Sequence, residues 1–139
     1  KPRVIYIHGA RADYTKAEKF LVPVYQKGLS LLGATVSGHG HTGHVSQEPF
    51  SLDDNLKEAE AFSRLLDVSQ PCTAIGFSMG GATAIRLVQK HPEIFNRLVL
   101  FYPAIFPDES YAIPFGTVKF REIASRLDSY LGSSLFVTI

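Results

Sequence analysis

The chain has 139 residues, 14 of them basic and 13 acidic, for a formal charge of +1. That size suits one domain with its own core, whereas two domains would each be too small to bury one well. Charges of both signs are dispersed and no apolar run approaches the ~18 residues of a membrane span, which argues against a nucleic-acid partner, a polybasic membrane patch or a membrane-spanning segment. A small neutral substrate is the expected partner. Cys72 is the only cysteine, so an internal disulfide is excluded. Together with a start that runs into a strand rather than a secretory signal, this suggests a cytoplasmic protein.

In chain order, Val4 to Ile7 reads as a buried strand that ends at His8-Gly9-Ala10, followed by a polar loop from Arg11 to Thr15. Pro23 predicts the first residue of a helix reaching Leu32, with Gly33 as its stop and Ala34 to Ser37 as a second strand. A Gly/His loop follows from Gly38 to His44. Ser51 is the expected N-cap of a helix whose Leu52, Leu56, Ala59, Phe62 and Leu66 recur at helical spacing. Cys72 to Ile75 predicts a third strand, Ala82 to Gln89 a helix closed by His91-Pro92, and Leu98 to Tyr102 a fourth strand. Pro103, Pro107 and Pro114 then predict loop. A helix from Val118 to Tyr130 and an apolar run from Leu135 to Ile139 complete the pattern. Strands alternating with helices imply a single α/β domain over residues 1–139, a mostly parallel sheet flanked by helices. Its ligand sites are expected at the carboxyl ends of the strands.

Between the third strand and the following helix stands Gly76-Phe77-Ser78-Met79-Gly80. A serine hydroxyl is a weak nucleophile, and an enzyme that uses one exposes it on a sharp turn, near a base and backbone N–H donors. Side chains two residues to either side would collide on such a turn, which suits Gly76 and Gly80. The pentapeptide alone would occur by chance in roughly 5% of chains this long. The order strand, serine turn, helix makes the match more specific.

These residues resemble the α/β-hydrolase superfamily, in its serine esterase, lipase and thioesterase branch. His8-Gly9 is similar to the family's oxyanion-loop start, Gly38-His39-Gly40 to the loop after its next strand, and Gly76 to Gly80 to its nucleophile elbow. The resemblance implies Ser78 as the nucleophile of a carboxylic ester or thioester hydrolase. The backbone N–H groups of Ala10 and Met79 would hold the oxyanion, and no metal or organic cofactor would be needed. The family's acid and histidine usually follow later strands, which places both beyond Ile139 and suggests a chain that lacks the last third of such a domain. A sheet cut there would expose an edge open to self-association. Asp108 is the alternative acid. The segment 103–117, with Phe106, Tyr111 and Phe115 after Phe101 and Tyr102, suggests a short lid.

Other readings of the same residues stay open at this level. Ser78 could cap the following helix, since serine is a favoured N-cap. His8 could orient its loop through a backbone hydrogen bond or act as a base, and His91 suits a helix C-terminus. His39, His41 and His44 have a spacing that could hold zinc and so define a metal-dependent hydrolase. A hydrolase-fold binding protein without catalysis, or an inactive fragment, is the alternative of another class.

Overall fold

A computed structural model describes residues 1–10, 12–42 and 52–104. Four strands form one parallel sheet: β1 (Val4–Ile7), β2 (Leu31–Ala34), β3 (Cys72–Phe77) and β4 (Phe95–Phe101), in the order β2-β1-β3-β4. Three helices connect them: α1 (Glu18–Gln26), α2 (Leu52–Ser63) and α3 (Met79–Lys90). The chain first winds from β1 to β2 on one side, then crosses back to lay β3 on the other. The carboxyl ends of β1 and β3 therefore meet at the point where strand order reverses, and open α/β sheets bind their ligands there.

Alternation along β1 distributes the core over both faces of the sheet. Ile5 and Ile7 join Ala74, Leu98 and Leu100 against α2 and α3, whereas Val4, Tyr6 and Ile75 face Leu21 and Val24 of α1. Leu98, Leu100 and Leu87 are fully buried, each such burial being worth about 1.5–3 kcal/mol. Cys72 lies in the larger cluster as the small buried residue expected of it, and burial pushes its thiol pKa up. At the far end of α3, Glu60 of α2 bridges Lys90 at 2.7 Å and His91 at 2.8 Å, and these partners hold its carboxyl below the ordinary range. His91 is the helix C-cap, as its place before Pro92 suggests.

Two boundaries differ from the sequence reading. Pro23 lies inside α1 rather than at its start. The helix is entered through a 3-10 turn at Tyr14–Ala17, capped by Asp13, whose carboxylate accepts from the Thr15 N–H at 2.9 Å. The capping aspartate therefore belongs to a stretch that reads as polar loop. The helix stops at Gly28 rather than Gly33. Gly28 has φ 77°, with its N–H on the Tyr25 carbonyl at 2.9 Å and the Leu29 N–H on Val24 at 3.4 Å, the paired bonds of a Schellman ending. Leu31 and Leu32, released from the helix, pair with β1, and Gly33 becomes a strand residue lying against the Tyr14 side chain. Elsewhere the expected elements are present with shifted ends: α3 starts earlier, at Met79, and β4 at Phe95, whereas α2 ends at Ser63, before Leu66, and β2 ends at Ala34 rather than Ser37. Ser51, the helix from Val118 and the run from Leu135 lie outside the described residues. Among the described residues no helix is long and apolar enough to cross a membrane.

Candidate active site

Ser78 follows β3 directly and precedes the first residue of α3. Its backbone sits at φ 53° and ψ −119°, a conformation that costs a non-glycine residue about 1–3 kcal/mol. Its side chain makes no capping bond to the helix, so the helix-cap reading of Ser78 is not what the structure contains. The turn is held by its neighbours instead. The Ser78 N–H donates to the Phe101 carbonyl at 3.0 Å, and the Ser78 carbonyl accepts from Gly81 and Ala104, each at 2.9 Å. These bonds tie the turn to α3, to β4 and to the chain beyond β4.

Glycines permit that turn because of what lies against them. A β-carbon on Gly76 would come within 2.5 Å of the Gly80 carbonyl oxygen and 2.6 Å of the Gly81 Cα, where no real β-carbon sits. A β-carbon on Gly80 would overlap the carbonyl oxygens of Ile7 and His8. The first turn of α3 is therefore packed directly on the end of β1. The register agrees: Ile7 pairs with Gly76, which brings Gly9 level with Ser78, and the Gly9 β-position lies 3.1 Å from the Ser78 Cβ.

His8 orders the loop that carries Gly9 and Ala10. It is fully buried, its Nε2 accepts from the Val36 N–H at 3.0 Å, and its Nδ1 lies 2.7 Å from the Gly9 carbonyl. A carbonyl can only accept, so Nδ1 carries the proton and the imidazole is neutral. Both ring nitrogens are thus engaged by the backbone, which is the orienting role rather than that of a base. Burial lowers the His8 pKa, and the nearby His39 pushes the same way. The contribution of this arrangement to stability is complete above about pH 6.5, the ordinary histidine value, and is lost as pH falls through the lowered folded value. Nitrogen-detected NMR should accordingly find His8 as the neutral Nδ1–H tautomer at about pH 7; an Nε2–H tautomer or an imidazolium signal there would contradict the arrangement.

Among the described residues, neither the Ala10 N–H nor the Met79 N–H has a backbone acceptor. Met79 is the first helical residue, where N–H groups lack intrahelical partners and the helix dipole is positive. His39 packs its ring 5.2 Å from that of His8 and places Nδ1 3.1 Å from the Ser37 carbonyl. The adjoining Ser37 N–H is held by Glu58 of α2 at 2.8 Å. Among the described residues no three histidine, cysteine or acidic side chains could hold a metal; His44 lies outside them, as do Asp108, Phe106, Tyr111 and Phe115. Of the expected lid, Pro103 and Ala104 are described. Pro103 would contact a β-carbon on Gly81, and Tyr102, 78% exposed, sets its ring edge-on to Phe77 at 6.3 Å. Phe101 belongs to β4 and packs in the α1-side core rather than in a lid.

Asn55, which no sequence motif singles out, is 2% exposed and donates its amide to the Met79 sulfur at 3.5 Å. It lies one residue before Leu56 and four before Ala59, on the inward side of α2. A polar residue on that side was the available signal.

A doubly wound parallel sheet, helices on both faces and a serine on a strained strand-to-helix turn at the strand-order reversal define an α/β-hydrolase fold. The family model described as serine aminopeptidase S33 (Hydrolase_4) matches residues 1–134, and the chain belongs to that family. It is 27% identical over 110 residues to a putative esterase/lipase of Haemophilus influenzae, covering 79% of this chain and 37% of that protein. It is 31% identical over 101 residues to an esterase of Mycobacterium tuberculosis, covering 71% of this chain and 32% of that one. The chain thus spans about a third of the length of these relatives. Among solved structures, a thioesterase domain from the curacin biosynthetic pathway superposes with a TM-score of 0.71 at 22% identity, covering 93% of this chain and 45% of that one. A Paleococcus ferrophilus monoacylglycerol lipase gives 0.66 at 21%, covering 92% and 48%. At such identities these two likenesses concern the fold.

Proposed function

We propose that the chain carries the nucleophile and oxyanion site of a serine hydrolase acting on a carboxylic ester or thioester. The observation that carries this reading is the backbone of Ser78, strained at φ 53° with a side chain that does not cap the helix it precedes. Strain kept at a residue that does no capping work suits a hydroxyl presented for chemistry. The names of the relatives, an esterase/lipase and an esterase, lie in the same class of reaction.

In this mechanism Ser78 Oγ attacks the acyl carbonyl carbon while its proton passes to a histidine outside the described residues. The carbonyl π pair moves onto oxygen, and the resulting oxyanion accepts from the Ala10 and Met79 N–H groups, reinforced by the positive end of α3. Collapse expels the alcohol or thiol, which takes the proton back. Water, deprotonated by the same base, then cleaves the acyl-enzyme and regenerates Ser78. Gly9 serves by its lack of a side chain, which lets the Ala10 loop lie against the serine. His8 holds that loop and does not exchange protons with substrate.

The test is exposure of the native full-length protein to a fluorophosphonate, followed by intact mass measurement and peptide mapping. A single adduct on Ser78 is expected. No adduct, or one on another residue, would remove Ser78 from the mechanism and favour a binding protein on the same fold.

A further inference from the structure

We infer that Asn55 is a positioning residue, which holds the Met79 side chain and through it the first turn of α3 beside Ser78. The inference rests on the reading of Met79 as an oxyanion donor. Asn55 comes from the first turn of α2 and is 2% exposed. Its Nδ2 lies 3.5 Å from Met79 Sδ. A thioether sulfur can only accept, so the amide group must turn its N–H₂ toward it and its carbonyl away. That carbonyl oxygen, Asn55 Oδ1, is the one buried side-chain polar atom without a hydrogen-bond partner among the described residues.

An unpaired buried acceptor works against folding, and an isosteric leucine would fill the same space on an otherwise apolar stripe. The amide therefore contributes something other than stability, and what it touches is the residue next to the serine. Met79 is gripped at two points, since Thr83 Oγ1, itself buried, donates to the Met79 carbonyl at 3.3 Å. With its carbonyl tethered from within α3 and its sulfur tethered from α2, Met79 has little freedom to shift, and its N–H stays in the peptide plane that the Ser78 carbonyl fixes by accepting from Gly81 and Ala104. An unbranched methionine has three soft torsions and would otherwise let that turn relax.

The experiment compares full-length wild type with Asn55→Leu, Met79→Leu and the double variant, reading kcat, KM, melting temperature and the rate of fluorophosphonate labelling of Ser78. Asn55→Leu is expected to lower kcat and the labelling rate by about tenfold with KM within about twofold, while Tm stays equal or rises. Met79→Leu, which keeps the volume and removes the acceptor, is expected to reproduce the loss, and the double variant to add nothing further. A kcat within about twofold of wild type, additive losses, or a fall in Tm accompanying the fall in kcat would each overturn the assignment; the last would mean that Oδ1 has a partner and the role is structural. If wild type itself is not labelled at Ser78, the reading of the site fails first. If wild type is labelled and the variants match its rate, the positioning role alone fails.

Discussion

Replacing Ser78 by alanine is expected to reduce ester turnover by a factor on the order of 10⁴ to 10⁶ in the full-length protein, because on the proposed mechanism the attacking atom itself is removed. What remains would come from binding and from the oxyanion donors alone. The fold should survive the change, for three reasons. The hydroxyl makes no capping bond, the hydrogen bonds of residue 78 to Phe101, Gly81 and Ala104 are all made by its backbone, and alanine retains the β-carbon that Gly9 packs against. Neither serine nor alanine is comfortable at φ 53°, so the strain should be nearly the same in both proteins. Circular dichroism and melting should therefore coincide while turnover of a chromogenic short-chain ester is lost. Turnover within about tenfold of wild type would show that another group attacks the substrate.

Gly80→Ala is expected to destabilise the protein by about 3 kcal/mol or more, well beyond the usual cost of a surface substitution. The added methyl would overlap the carbonyl oxygens of Ile7 and His8, which are backbone atoms at the end of a central strand and just beyond it and cannot swing aside as a side chain would. Relief requires α3 to lift from the end of β1, and that motion separates Ser78 from Gly9. Activity should fall even in the fraction that stays folded. Gly28→Ala is the appropriate control, because nothing lies within 4 Å of its β-position and the cost is the positive φ of 77° alone. That cost is about 1 kcal/mol. Urea midpoints of the two variants separate steric overlap from backbone strain. Equal midpoints would mean that the α3–β1 packing is looser than the contacts require.

The elements most legible in the sequence are those whose signal is local and repeated. The apolar stripe of α2, the buried runs of β1, β3 and β4, and the glycines around Ser78 each follow from spacing and side-chain size within a few residues. The edges of α1 and β2 are not legible in the sequence because Pro23 and Gly33 each have two legitimate positions. Pro23 can begin a helix or sit within one, and Gly33 can end a helix or pack against Tyr14 in a strand. The choice depended on Asp13 capping an earlier turn and on Gly28 taking the left-handed conformation first. Both are settled by hydrogen bonds that compete over a distance of several residues, and periodicity does not register them.

The candidate site divides along the same line. A serine between glycines at a strand-to-helix junction is a local pattern, so the turn at Ser78 and the need for Gly76 and Gly80 could be read directly from residue order, as could membership of an alternating α/β class. Contacts between β1 and β3, some seventy residues apart in the chain, could not be. Tertiary structure alone decided that Gly9 faces Ser78, that Gly80 rests on the backbone of Ile7 and His8, that both nitrogens of His8 are spent on the backbone, and that the Asn55 amide meets the Met79 sulfur. The physical reason is that turn chemistry and amphipathic periodicity are written into neighbouring residues, whereas strand order and helix placement arise from burying both faces of one sheet at once.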